Sequence, residues 1–133
     1  MLPAVLVATW SDGLFVLTQK AQEHELAGHA VRGLTADGRG GALAIVDRNT
    51  LRRRSAAGEW SILATVDCDL SCCVATHGAV YVGTDTARVL RLDADQNIAP
   101  LHGFDSVKGR QTWAAGQALV NGQLLGPPLG VRS

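Results

Sequence analysis

Long apolar runs are missing from the 133 residues: no stretch is long enough to cross a bilayer as a helix. Charge of one sign is missing too. Lys+Arg and Asp+Glu stand at 12 each, so the surface has no long-range field to gather phosphates or anionic lipid. Nucleic-acid and membrane partners are therefore not expected. The opening Met1-Leu2-Pro3-Ala4-Val5-Leu6-Val7 has no basic leader and reaches Trp10-Ser11-Asp12 too soon for a signal peptide. A cytoplasmic location is the expectation. Cysteine is scarce: Cys68, Cys72 and Cys73 are odd in number and crowded into one segment, unlike the spread, even set of a secreted disulfide framework. Cys72-Cys73 would serve as a vicinal or redox pair, or more simply as two small soft residues of a buried strand, the simpler reading being favoured. His77 is their only histidine neighbour and there is no second Cys pair, so no metal and no cofactor are expected. Helical periodicity of useful length is absent as well. Ala114 to Leu119 is short and flanked by glycine.

What is present is a repeat. Leu6, Leu43 and Tyr81 lie 37 and then 38 residues apart, and Leu14, Leu51 and Val89 keep that spacing. Leu26, Leu63 and Leu101 give a third set of landmarks. Around each lie short apolar segments separated by polar turns. Val5 to Thr9 and Leu14 to Thr18 flank Asp12-Gly13, a pair that tolerates positive φ in tight hairpins. The first unit continues through His24 to Ala27 and Val31 to Thr35, closed by Asp37-Gly38-Arg39-Gly40-Gly41. The second unit has the same pattern in Ala42 to Val46, Leu51 to Ser55, Trp60 to Val66 and Leu70 to Thr76, and ends at His77-Gly78. In the third, Val80 to Thr84, Val89 to Asp93 and Ile98 to Leu101 repeat the first three strands. A long insertion, 103–128, then precedes Val131-Arg132-Ser133, which echoes Val31-Arg32-Gly33.

Repeats of this length built from short strands predict an all-β chain of propeller blades, about three four-stranded antiparallel sheets. The predicted blades are 4–40, 41–78 and 79–133 within a single domain, a partial propeller or half-ring. Such an arc exposes apolar faces at its two ends. The expected partners are a second copy closing a six-blade ring or the remaining blades of a longer protein.

Two segments carry a family likeness. Arg54-Ser55-Ala56-Ala57-Gly58-Glu59-Trp60 resembles a worn Asp-box, the Ser-x-Asp-x-Gly-x-Thr-Trp turn, with Ala57 where the aspartate stands and one residue fewer between Gly and Trp. Phe104-Asp105-Ser106-Val107, Gly109-Arg110, Thr112-Trp113 and Gly126-Pro127-Pro128, ahead of Val131-Arg132-Ser133, are similar to a segment of BNR/Asp-box sialidase-like proteins. The resemblance implies propeller blades. It does not bring the sialidase chemistry, which in that family uses three arginines, a Tyr-Glu pair and an acid. Tyr81 is the single tyrosine and falls inside a predicted strand, and no glutamate matches. A non-catalytic binding module is the leading expectation, and a glycosidase-like hydrolase relative, or part of one, is the alternative.

In a propeller the first-to-second strand turns emerge on one face. The candidate ligand-binding residues there are Trp10, Asp12, Asp47 and Asp85, with Asp105, Arg110 and Trp113 from the insertion above them. Acids and arginines would supply polar contacts and the indoles stacking surface for a protein, small-molecule or glycan ligand. Ordinary turn chemistry also explains each acid, because Asp caps tight turns through its own backbone. The long insertion is harder to set aside, since long loops in compact domains are functional or disordered. Arg52-Arg53-Arg54 sits in a predicted strand, where alternate residues face opposite ways. That pattern predicts pairing with acids or an edge-protecting role rather than a cationic surface. The serines lack a Gly-x-Ser-x-Gly setting and the histidines show no partner spacing, so no catalytic residue is assigned.

Overall fold

The computed structural model describes residues 4–108, 118–120 and 123–125. These form antiparallel sheets and one short helix. Strands β1 (Val5–Ala8), β2 (Leu14–Leu17) and β3 (Gln22–Glu25) make the first sheet, in that order. Strands β4 (Val31–Ala36), β5 (Ala42–Val46), β6 (Thr50–Arg54) and β7 (Trp60–Thr65) make the second. Strands β8 (Leu70–Thr76), β9 (Ala79–Thr84), β10 (Val89–Leu92) and β11 (Ile98–Pro100) make the third. The helix α1 (His102–Asp105) follows, and β12 (Ala118–Val120) pairs with β13 (Gln123–Leu125). No described helix is long and apolar enough to cross a membrane.

The repeat is real at the level of register. Leu6, Leu43 and Tyr81 lie in β1, β5 and β9, and each pairs with the residue ten further on: Val16, Arg53 and Arg91. The phase of the sheets differs from the sequence reading. Val31–Ala36 does not close the first sheet. It pairs with β5, as Leu70–Thr76 pairs with β9. Boundaries at 40/41 and 78/79 therefore cut across hairpins, and among the described residues the first sheet has three strands rather than four. The physical reason is turn chemistry. Asp37 Oδ1 accepts the N–H groups of Arg39 and Gly41 at 2.7 and 2.9 Å, and its own N–H donates to the Gly41 carbonyl, which folds 37–41 into a closed hairpin. His77 and Gly78 both have positive φ, 49° and 78°, as a two-residue hairpin turn with matching twist requires.

The second sheet lies between the other two. Its strand β5 is buried at all five positions because alternate side chains enter different cores. Ala44 and Val46 pack with Leu14, Val16 and Val31 on the side of the first sheet. Leu43 and Ile45 pack with Leu51, Leu70, Val82 and Leu92 on the side of the third. Fully burying a side chain such as Leu51 is worth about 2 kcal/mol. Strand β4 lies beside β8 and against β1. The other face of the first sheet is uncovered among the described residues: Val5 is 57% and Val7 44% exposed.

Candidate functional site

The three tips predicted to share a face lie along one edge of the successive sheets. Backbone hydrogen bonds through the inter-sheet linkers bind them together. The linker from β3 to β4 offers His29 O to the N–H of Gly13 and Ala30 O to the N–H of Asp47, at 2.6 and 2.8 Å. It also sends the N–H of Val31 to Thr9 O. The linker from β7 to β8 repeats the scheme. Leu70 N–H donates to Arg48 O at 2.7 Å and Asp85 N–H to Asp69 O at 3.0 Å. Each linker is thus held between two neighbouring tips.

The acids of this row serve those linkers. Asp12 Oδ1 accepts the N–H of Gly28 at 2.8 Å. Asp47 Oδ2 meets His29 Nδ1 at 2.6 Å and its Oδ1 accepts the N–H of Ala30 at 3.0 Å. The His29 contact, then the Ala30 N–H, hold the Asp47 carboxyl below the usual range against a small desolvation cost. Asp85 has one carboxylate oxygen buried without a hydrogen-bond partner among the described residues. Asp105, on α1, forms a two-point pair with Arg88 of the third tip at 3.3 and 2.8 Å. Trp10 is 73% exposed, with the Arg32 guanidinium 5.5 Å over its ring. Arg110 and Trp113 lie outside the described residues.

Sequence reasoning missed His29, whose partner Asp47 is 18 residues away and belongs to the next sheet. A carboxylate-held imidazole is the base half of a nucleophilic centre. Among the described residues no hydrogen bond joins that imidazole to a hydroxyl or thiol. Nor does any described group of three or more His, Cys, Asp or Glu residues cluster to hold a metal. The arginine run behaves as alternation requires. Arg53 Nε donates to Asp37 at 2.8 Å on one side of β6, and Arg54 donates to Glu25 at 2.8 and 3.0 Å on the other.

A second concavity, not foreseen, opens at the far ends of the strands. It has a volume of about 510 Å³ and lies between the second and third sheets. Arg39, Arg53, His77 and Asp93 edge it over a floor that includes Leu43 and Leu92. Its acids are likewise engaged locally: Asp93 Oδ1 accepts the N–H groups of Asp95 and Asn97 at 2.9 and 3.0 Å.

No family model, curated protein or solved structure matches this chain. The geometry therefore speaks alone. The turn resembling an Asp-box is the β6–β7 hairpin, closed by Ser55 N–H to Glu59 O at 2.8 Å and by Ser55 Oγ accepting the Glu59 N–H at 3.1 Å. Its Trp60 indole N–H reaches Glu25 on the first sheet at 2.9 Å. The hairpin thus works as a clamp between sheets.

Proposed function

We propose that the chain is a non-catalytic binding module whose sheets are blades of a partial propeller, completed by association with a second copy. The observation that carries this reading is the mismatch between its sheets: among the described residues two have four strands, while the first has three and presents Val5 and Val7 to solvent. Monomeric domains seldom leave a contiguous apolar sheet face bare, and such faces mark association surfaces. Two copies related by a two-fold axis would cover both faces with one repeated contact.

The condition of the acids supports the non-catalytic half of the proposal. A glycosidase needs two carboxyl groups facing one bound sugar. Asp12 and Asp47 are instead committed to backbone N–H groups of their own linkers, and Asp105 to Arg88. Sedimentation velocity over a wide concentration range tests the association. The expected species has twice the mass of the chain. Val5→Lys with Val7→Lys should weaken it about tenfold or more. A monomer at every concentration overturns the proposal.

A further inference from the structure

The concavity at the far ends of the strands has a size and a lining that the row of tips does not explain. Its volume of about 510 Å³ falls within the roughly 300–1,000 Å³ of ordinary small-molecule sites. Three hairpin turns frame it. Asp37 closes the β4–β5 turn through the N–H groups of Arg39 and Gly41. His77 and Gly78 make the β8–β9 turn, with Thr76 paired to Ala79 across it. The β10–β11 turn is closed by Asp93 N–H to Asn97 O at 3.1 Å and by Gln96 N–H to Asp93 O at 3.0 Å. The rim is therefore fixed before a ligand arrives, which lowers the ordering cost of binding. Gly38, Ala75, Gly78 and Ala79 line it with little side-chain bulk, so the space between the larger residues stays open.

Hydrogen-bonding capacity around this space is unevenly spent. Both Asp37 oxygens are taken, Oδ1 by two backbone N–H groups and Oδ2 by Arg53 Nε at 2.8 Å, and the side chain is only 3% exposed. Asp93 Oδ1 is held by the N–H groups of Asp95 and Asn97. The guanidinium groups are spent far less. Among the described residues Arg53 donates through Nε alone, and the exposed Arg39 side chain has no acceptor. A guanidinium carries five N–H donors, so the charged capacity left over at the rim is mainly for donation. Leu43, Leu63, Val80 and Leu92 supply the apolar floor.

We infer that this cavity binds a small carboxylate with an apolar body, its oxygens on the unspent N–H groups of Arg39 and Arg53 and its body on the leucine floor. Planar guanidinium groups suit a carboxylate because they can meet it at two points. The inference rests on the binding-module half of the proposal above and not on the association. It places the ligand at the ends of the strands away from the tips.

Phenylbutyrate titrated into the isotope-labelled full chain, followed by amide shifts in NMR, tests the site. A probe of roughly a dozen non-hydrogen atoms should bind at about 1 mM or tighter. Shifts should gather at Arg39, Gly78 and Ala94 and leave Asp12 and Asp47 unmoved. Phenylbutanol keeps the body without the charge and should bind about tenfold more weakly. Acetate keeps the charge without the body and should also bind at least about tenfold more weakly. Arg39→Gln changes a side chain the fold does not use and should weaken the acid about fivefold. Asp93→Asn keeps an oxygen for the two N–H groups, removes an opposing charge and should tighten binding about twofold. Phenylbutanol binding as well as phenylbutyrate, acetate matching it, or weaker binding by Asp93→Asn overturns the assignment. Shifts gathered at the tips overturn this site and keep the binding module. No shift anywhere overturns the site and leaves the association to sedimentation.

Discussion

Glu25 joins the first two sheets through three donors from the second: Arg54 Nε and Nη2, and the indole N–H of Trp60. The Arg54 hydrogen bond, outweighing desolvation and helped by Trp60, holds the Glu25 carboxyl below its usual range. Asp37 also sits low. Burial pushes it up, but the Arg39 and Gly41 N–H groups and Arg53 outweigh that. Depressed folded values mean that this stability is complete above the ordinary carboxylate range near pH 4 and is lost as pH falls through the folded values. Glu25→Gln should cost about 2 kcal/mol. That is less than for a sealed pair, because the side chains of Arg54 and Glu25 remain 16% and 18% exposed. Urea unfolding between pH 7 and pH 3 checks both points: the variant should be weaker at neutral pH and lose less on acidification. Equal acid sensitivity in wild type and variant would remove Glu25 from this role. The opposite facing of Arg53 and Arg54 was legible from strand alternation. Their partners were not, because Glu25 and Asp37 lie 29 and 16 residues away across sheet and turn.

Elements were more legible than their grouping. Alternating short apolar runs and the Asp12-Gly13 turn mark the strands closely, but a repeat read from sequence has no inherent phase. The glycine-rich 37–41 looks like a break between units and is a hairpin inside a sheet. The true inter-sheet linkers, 26–30 and 66–69, carry one glycine between them. Hydrogen bonds to the tips hold these linkers, which composition does not reveal. Gly13 and Gly28 separate two demands at this junction. Both have positive φ, 67° and 81°, but a Cβ on Gly13 would strike the Glu25 and Leu26 carbonyls, whereas one on Gly28 meets nothing within 4 Å. Gly28→Ala should cost about 1 kcal/mol, the backbone penalty alone. Gly13→Ala should cost about 3 kcal/mol or more, since two backbone segments must move apart. Denaturant midpoints measure the difference, and equal costs would mean that the tip and linker are not tightly apposed.

At the scale of the whole molecule the sheets are unequal. The second has a core on each face, with Ala44 and Val46 toward the first sheet and Leu43, Ile45 and Leu51 toward the third. Among the described residues the first has one covered face, no strand beside β1, and Glu25 as its charged tie to the second. Layers that each contact only their neighbours have stabilities that are nearly sums of unit and interface contributions. Local opening should then begin at the layer with fewest contacts. Native-state hydrogen exchange at low protein concentration should show β1 and β2 amides opening at lower free energy than β5 and β6 amides, which exchange only through global unfolding. Leu14→Ala, which leaves a hole between the first and second sheets, should lower the first set by about 3 kcal/mol. The β5 amides should fall by the same amount, because global unfolding loses that core as well. Leu92→Ala, on the far side of the second sheet, should leave the gap between β1 opening and its own reclosing unchanged. A single opening free energy for all three sheets would show one cooperative body rather than layers that open in turn.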